Sequence, residues 1–300
     1  AQYFPGGYLV TDQGNSVSGI VEKPEPGSEP SDLVNVVVHY HRDPAALLLA
    51  LSRAETERDD RYERALELLI GSGTEVRAVP YDGFWSPIKY PWDVLRTMEH
   101  FVNAVQPYTA PTAQVAASAV VEGRVHLGDN VKVLENAVVR GPAYIADNCV
   151  IGNNALLRGG VHIGEGSVVG YSTEVKHSYI GRNCWFHSNY IGDSVIDDSC
   201  LFGSGAVTGN FRFDEAPVKV DVGGRKVDTG STKLGVIMGS GCRAGINSGF
   251  MPGVLVGPGA EVGPHVCLKA NLAAGQKARL IDDYRVDGDD AAPESTGKPS

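Results

Sequence analysis

The chain has 300 residues, 42% of them apolar, and a net charge of −10; this is enough apolar material for a packed core and excludes a disordered chain. No run of 18 apolar residues occurs, which excludes a membrane-crossing helix. The 36 acidic side chains outnumber 26 basic ones and repel phosphate backbones, so nucleic acid is not an expected partner.

In chain order, residues 8–11 and 16–21 read as two strands around Gln13-Gly14-Asn15, and residues 34–40 as a buried strand. Residues 44–54 and 61–70 have helical spacing, 75–79 reads as a strand, and 91–105 as a helix with Pro91 in its first turn. Trp92 is expected to pack that last helix onto the N-terminal part. Residues 1–105 therefore form a partial α/β domain.

From residue 106 the pattern changes. Of 37 glycines, 27 fall in residues 106–280. An aliphatic residue recurs at every sixth position from Val115 to Val175, and a small residue or Val stands two before each, from Ala113 to Thr173. The double register returns from Met238 to Leu268. A helix repeats near 3.6 and a strand at 2, so a period of six is one short strand plus one turn, and three such units close a coil. Glycines following the aliphatic, such as Gly152, Gly164 and Gly170, are expected to supply permissive backbone angles at corners. The fold expected for 106–280 is a left-handed parallel β-helix of hexapeptide repeats.

The period slips between 180 and 202, where Ile180, Phe186, Ile191, Ile196 and Leu201 are read as the inward column, and it stops at 211–233. There, alternating residues around Gly223-Gly224 predict a hairpin arm thrown out of the coil. The last segment, 281–300, holds six acids against Arg285 and Lys298 and reads as a disordered tail. Five cysteines form no CxxC pair, and no basic-then-apolar leader opens the chain; both fit a reduced, cytoplasmic protein. Cys149 and Cys242 occupy small inward positions and are expected to pack as small apolar residues. His126, Tyr144 and His162 stand 18 apart, one coil each. They read as a solvated stack, and no metal site is expected.

Seven segments together resemble the bifunctional sugar-1-phosphate nucleotidyltransferase/amino-sugar-1-phosphate acetyltransferases of archaeal type. They are IVEKP (20–24), LVNVVVHY (33–40), RYERALELLIGSG (61–73), YPWDVLRTMEHF (90–101), HSNYIGD (187–193), GNFRFD (209–214) and the long stretch at 233–263. The resemblance implies a nucleotidyltransferase part followed by a β-helix acetyltransferase, assembled as a homotrimer with sites between neighbouring copies. In the first part the family's metal-binding Asp corresponds to Pro87 and a following glycine to Lys89, within Trp85-Ser86-Pro87-Ile88-Lys89; Val37 replaces a strand glycine, and no phosphate-holding loop precedes Ala1. Nucleotidyl transfer is accordingly not expected of this chain, although Glu22 and Lys23 match sugar contacts.

In the second part His187 and Tyr190 match the catalytic His and its neighbouring Tyr, and Asn210 an active-site Asn. Lys176 matches a substrate-phosphate lysine and Lys219 the second of two arm lysines; the first is Ala216 here. Lys269, Lys277 and Arg279 are candidates for the phosphates of coenzyme A. The expected reaction moves acetyl from acetyl-CoA to the amine of an amino-sugar 1-phosphate, with His187 as general base, because an unperturbed imidazole titrates near neutral pH. Two other readings stand beside it: a sugar-1-phosphate nucleotidyltransferase whose N-terminal catalytic part lies outside this chain, and a non-catalytic trimeric scaffold or regulatory subunit.

Overall fold

The structure, a computed structural model, describes residues 3–281 except Pro5, Arg58 and Asp59. Apart from Ile281, the acidic tail lies outside the described residues. The chain divides into two compact units, Ala1–Ser86 and Pro87–Ser300.

In the first unit, β1 (Gly7–Thr11) and β2 (Val17–Glu22) form an antiparallel pair. Helix α1 (Pro44–Arg53) starts where the Asp43 carboxylate accepts from the Ala46 N–H. It packs with α2 (Arg61–Gly71) around Ala50, Ala65, Leu66 and Leu69, which share a core with Val17 and Ile20 of β2. The strand expected at 34–40 does not form. Only Val34 bridges to Tyr8, Val37 takes φ 56°, and Val38 and Tyr40 are exposed. Those apolar side chains have no second strand to pair with or bury against, and an apolar run makes a strand only where a partner exists. Residues 75–79 likewise make one bridge, Ser16 to Arg77, rather than a strand.

The second unit begins with α3 (Asp93–Ala104), whose Asp93 carboxylate accepts from the Lys89 and Tyr90 N–H groups at 2.9 Å each. The helix expected to end the N-terminal part thus packs in the β-helix unit. Its stripe of Leu95, Met98 and Val102 is buried, and Trp92 joins the same cluster with Val195, Leu234 and Ile237. Trp92 therefore packs α3 against the coils and the hairpin.

The remainder is a parallel β-helix. Each coil adds one strand to a parallel sheet running from Gln114–Val115 to Lys277–Ala278, and others to a second, larger sheet that covers two faces. Leu156–Ile163 and Glu174–Ile180 run across the corner between those two faces. Register confirms the period: Val115 pairs with Val133 and Ile151 with Val169, 18 residues apart. From Val133 to Val175 every sixth residue is at most 1% exposed, and the small positions between them are equally buried. Each buried aliphatic contributes about 1.5–3 kcal/mol.

The slip is a shortening of coils. Val169 pairs with Phe186, 17 on, and Phe186 with Phe202, 16 on. The inward residue is Phe202, fully buried, while Leu201 is only half-buried; the column steps six from Ile196, not five. The glycines after the aliphatics also serve differently from expectation. A Cβ on Gly170 would come within 2.2 Å of the Phe186 carbonyl oxygen, and one on Gly164 within 2.5 Å of the Gly181 backbone. Close stacking of coils excludes a side chain there. The left-handed corner angles fall instead on residues such as Asn130, Asn148 and Asn154, which tolerate that region.

The hairpin forms as expected, Lys219–Val222 against Arg225–Asp228, with Gly223 and Gly224 both at positive φ in a tight turn. It is not thrown clear of the coil. Val218 and Val220 are buried in the cluster that holds α3, and the Asn271 amide donates to the Asp221 carbonyl. The aromatic column is also not solvated along its length. Rings of Tyr108, His126, Tyr144, His162 and Tyr179 stack at centroid spacings of 4.6–5.6 Å. Its upper rungs face α3 across an apolar cavity of about 320 Å³. Burial there holds the His162 imidazole below its ordinary pKa, and its Nδ1 lies 3.1 Å from the Ile180 carbonyl. No helix among the described residues is long and apolar enough to cross a membrane.

Candidate active site

The site is built on neighbouring coil corners. The first carries His187. Asn189, 5% exposed, staples it: its Oδ1 accepts from the His187 N–H at 2.6 Å, and its Nδ2 donates to the Gly203 and Ala206 carbonyls. Ser188, at φ 49°, donates its hydroxyl to the Tyr171 carbonyl. The backbone of His187 is therefore fixed while its side chain is exposed, and its ring makes no hydrogen bond among the described residues.

Strand Tyr190–Gly192 leads to the second corner, at Asp193. In the preceding coil Lys176 pairs with Gly192 in register, so Lys176 and His177 come beside Asp193. The Asp193 carboxylate is the hub. Its Oδ2 accepts from Lys176 Nζ at 2.9 Å and from the Asn210 amide, and its Oδ1 lies 2.9 Å from His177 Nδ1. Asn210 also reaches the Tyr190 hydroxyl at 3.3 Å. Gly192 makes the junction possible: a Cβ there would meet the Tyr190 hydroxyl at 2.7 Å and the Asn210 amide at 2.8 Å. Burial of the Asp193 carboxyl is the largest single influence on it and pushes its pKa up. The bonds from His177, Lys176 and Asn210 and the Lys176 charge together outweigh burial and hold the group below the ordinary carboxylate value. In the coil before, Arg158 Nε donates to Glu174 at 2.8 Å.

Of the residues expected from sequence, the structure brings Lys176, Tyr190 and Asn210 into one network, with His187 three residues before Tyr190. Lys219 lies exposed at the start of the hairpin and makes no ion pair among the described residues. Lys277 pairs with Glu261 at 2.9 Å on the last coils, where Lys269 and Arg279 are also far along the chain from the network. Glu22 and Lys23 pair with each other at 3.3 Å in the first unit. Cys149 and Cys242 are buried, and burial pushes the Cys149 thiol up to about 11. Among the described residues no group of three or more His, Cys, Asp or Glu side chains is placed to hold a metal. Two members of the network, Asp193 and His177, were not expected; Asp193 closes the HSNYIGD segment, and His177 directly follows Lys176. The coil here is shortened to 16 residues, pairing Lys176 with Gly192, and the same step takes His177 to Asp193.

With this geometry in hand, comparisons with known proteins bear on the origin of the site. A family model described as Bacterial transferase hexapeptide (six repeats) matches residues 142–177. The Sulfurisphaera tokodaii protein named Bifunctional sugar-1-phosphate nucleotidylyltransferase/acetyltransferase is 32% identical over 275 residues, covering 90% of this chain and 67% of that one. The chain belongs to this family. Proteins named Bifunctional protein GlmU agree. That of Methanocaldococcus jannaschii is 35% identical over 259 residues, covering 86% of this chain and 62% of its own. That of Methanococcus maripaludis strain C7 is 40% identical over 274 residues, covering 89% and 64%. The chain thus spans between 62% and 67% of the length of these family members. Among solved structures, the polySia specific acetyltransferase NeuO is similar at 17% identity and a TM-score of 0.30, covering 61% of this chain and 93% of that one; a likeness this distant carries no argument about activity.

Proposed function

We propose that the β-helix unit of this family member transfers an acetyl group from acetyl-CoA to the amine of an amino-sugar 1-phosphate. The observation that supports it best is the Tyr190–Asn210–Asp193–Lys176 network beside the fixed corner of His187. Attack of an amine on a thioester needs a base, donors for the tetrahedral oxyanion, and a frame that aligns both substrates. His187 is the base: its imidazole stands exposed on a backbone pinned by Asn189. Tyr190 and Asn210 supply a hydroxyl and an amide that are already oriented. Lys176 and Lys219 are the candidates for the sugar phosphate, and Lys269, Lys277 and Arg279 for the phosphates of coenzyme A. Lys176 is engaged by Asp193, so a phosphate reaching it also meets that carboxylate. Lys219 stands outside the network of its own chain, which fits sites shared between copies of a homotrimer.

Nucleotidyl transfer gains no support from residues 85–89. Pro87 offers no carboxylate, and the Lys89 N–H is taken up in capping α3. The test is acetyl transfer to glucosamine 1-phosphate by wild type and by His187→Ala. The expected loss is about 100-fold or more in kcat, the scale of general base catalysis. Full activity in the variant overturns His187 as base. A wild type that fails to bind acetyl-CoA by calorimetry favours the scaffold reading instead, and pyrophosphate-dependent turnover the nucleotidyltransferase one.

A further inference from the structure

His177 and Asp193 occupy the same corner of successive coils, 16 residues apart in the chain. Both take left-handed backbone angles, φ 43° and 49°, and the two side chains meet with Nδ1 and Oδ1 2.9 Å apart. An ionised carboxylate only accepts, so Nδ1 carries the hydrogen and donates it, which leaves the Nε2 lone pair as the reactive end of the neutral ring. The Asp193 side chain is 5% exposed and is held by two further donors, Lys176 and Asn210, so it cannot swing away. The His177 side chain is 27% exposed, and its Nε2 makes no hydrogen bond among the described residues. The coil beneath it presents Gly159-Gly160, so that coil sets no side chain against the ring; a Cβ on Gly160 would stand 3.9 Å from the imidazole and 3.7 Å from Val102 of α3. A base fixed through its far nitrogen by a buried carboxylate is an arrangement suited to general base catalysis. The ring of His187 has no such partner.

We propose that His177 is a second acid–base residue of this site, taking the proton that the substrate's ammonium group must lose before attack, with Asp193 as its positioning residue. The role rests on the acyl-transfer reading above. In the first step the ammonium gives one proton to His177 Nε2; the N–H electron pair stays on nitrogen, and the imidazolium is stabilised by Asp193. The neutral amine then attacks the thioester carbonyl. His187 takes one proton from the nitrogen of the tetrahedral adduct and returns it to the departing sulfur as the C–S bond breaks. The products are the amide, the free thiol and one proton, which His177 releases to solvent. The charged and titratable groups around His177 are Asp193 on the next coil, Lys176 beside it in the chain, Glu174 on its own strand paired with Arg158 on the preceding one, and Tyr190 through Asn210. Helix α3 faces this corner with Val102, near Gly160.

The test uses His177→Asn. Asparagine accepts left-handed angles and keeps an amide that can donate to Asp193, but it has no titrating nitrogen. With acetyl-CoA saturating and glucosamine 1-phosphate as acceptor, kcat/KM is measured from pH 6.5 to 9.5. An amine with a pKa near 8 is only about one-tenth neutral at pH 7, so the variant is expected to be about tenfold slower there and to match wild type by pH 9. A variant profile identical to wild type, or an equal fall at every pH, overturns the role. Nitrogen NMR of labelled histidine gives a readout independent of turnover. His177 is expected as the Nδ1–H tautomer in the full chain and to lose that preference in Asp193→Asn; an Nε2–H tautomer in wild type overturns the dyad. A wild type that acetylates no amino-sugar phosphate removes the acyl-transfer reading and this role with it, whereas an active wild type with an unshifted variant removes this role alone.

Discussion

Asp193 receives three hydrogen bonds inside a coil corner, and its protonation decides what its neighbours can do. Its folded-state pKa lies below the ordinary carboxylate value, so the stability it contributes is fully present above the unfolded value of about 3.9 and is lost as pH falls through the folded one. Asp193→Asn leaves the Lys176 ammonium, 17% exposed, without its counter-charge, and removing one partner of such a pair costs about 3 kcal/mol. Urea midpoints are expected to differ between wild type and variant at pH 7 and to converge below pH 4; a gap that stays constant to pH 3 would mean that the carboxylate contributes by shape alone. At this scale the sequence singled out Lys176, Tyr190 and Asn210 by motif, and these three share one hydrogen-bond network with Asp193. Asp193 closes the HSNYIGD segment and His177 follows Lys176, yet neither position by itself shows the contact. Their contact depends on a coil of 16 residues, and the shortened coils break the six-residue rule by which neighbours can be counted.

At the scale of elements, a coil closes only if its neighbour's backbone can lie against it, and the glycines mark where that happens. Gly164→Ala drives a methyl to 2.5 Å from the Gly181 backbone, whereas Gly241, at φ 69°, has nothing within 4 Å of an added Cβ. The second substitution costs only left-handed strain, about 1–2 kcal/mol. The first forces two coils apart and is expected to cost more, about 3 kcal/mol or above, as overpacking in a core that cannot relax. Thermal melts of the two single variants check the order; equal losses would mean that the coil spacing yields. The repeat itself was fully legible, since an aliphatic at every sixth position has no other physical explanation. The glycine's reason was not, because a close approach and a positive φ leave the same residue in a sequence. Residues 34–40 failed as a strand for the converse cause: their apolar run fits a central strand, but only β1 and β2 stand nearby, and Val34 alone finds a bridge.

For the whole molecule, stability of a stacked solenoid is a sum over coils and the contacts between neighbours, so its ends open first. The first coil fits this: Val115 and Val121, inward by pattern, are 42% and 37% exposed. The middle is braced from outside. Helix α3 covers the rungs at Tyr144 and Tyr179, and the hairpin covers Val195, Ile237 and Leu255 on the same sheet. Cys149, Cys184, Cys200 and Cys242 all lie buried within these braced coils, while Cys267 is exposed further on. A thiol reagent reads the difference directly, because only an exposed thiol reacts without prior opening. In the native full chain one thiol is expected to react quickly. The other four should become reactive together, at the denaturant concentration where the strand signal in circular dichroism is lost. Met98→Ala thins the brace where α3 meets the coils, and Cys149, five residues along the chain from the Tyr144 rung that lines the cavity with Met98, is then expected to react ahead of Cys242. Reaction of Cys242 first would place the weak point of the solenoid under the hairpin instead of under the helix.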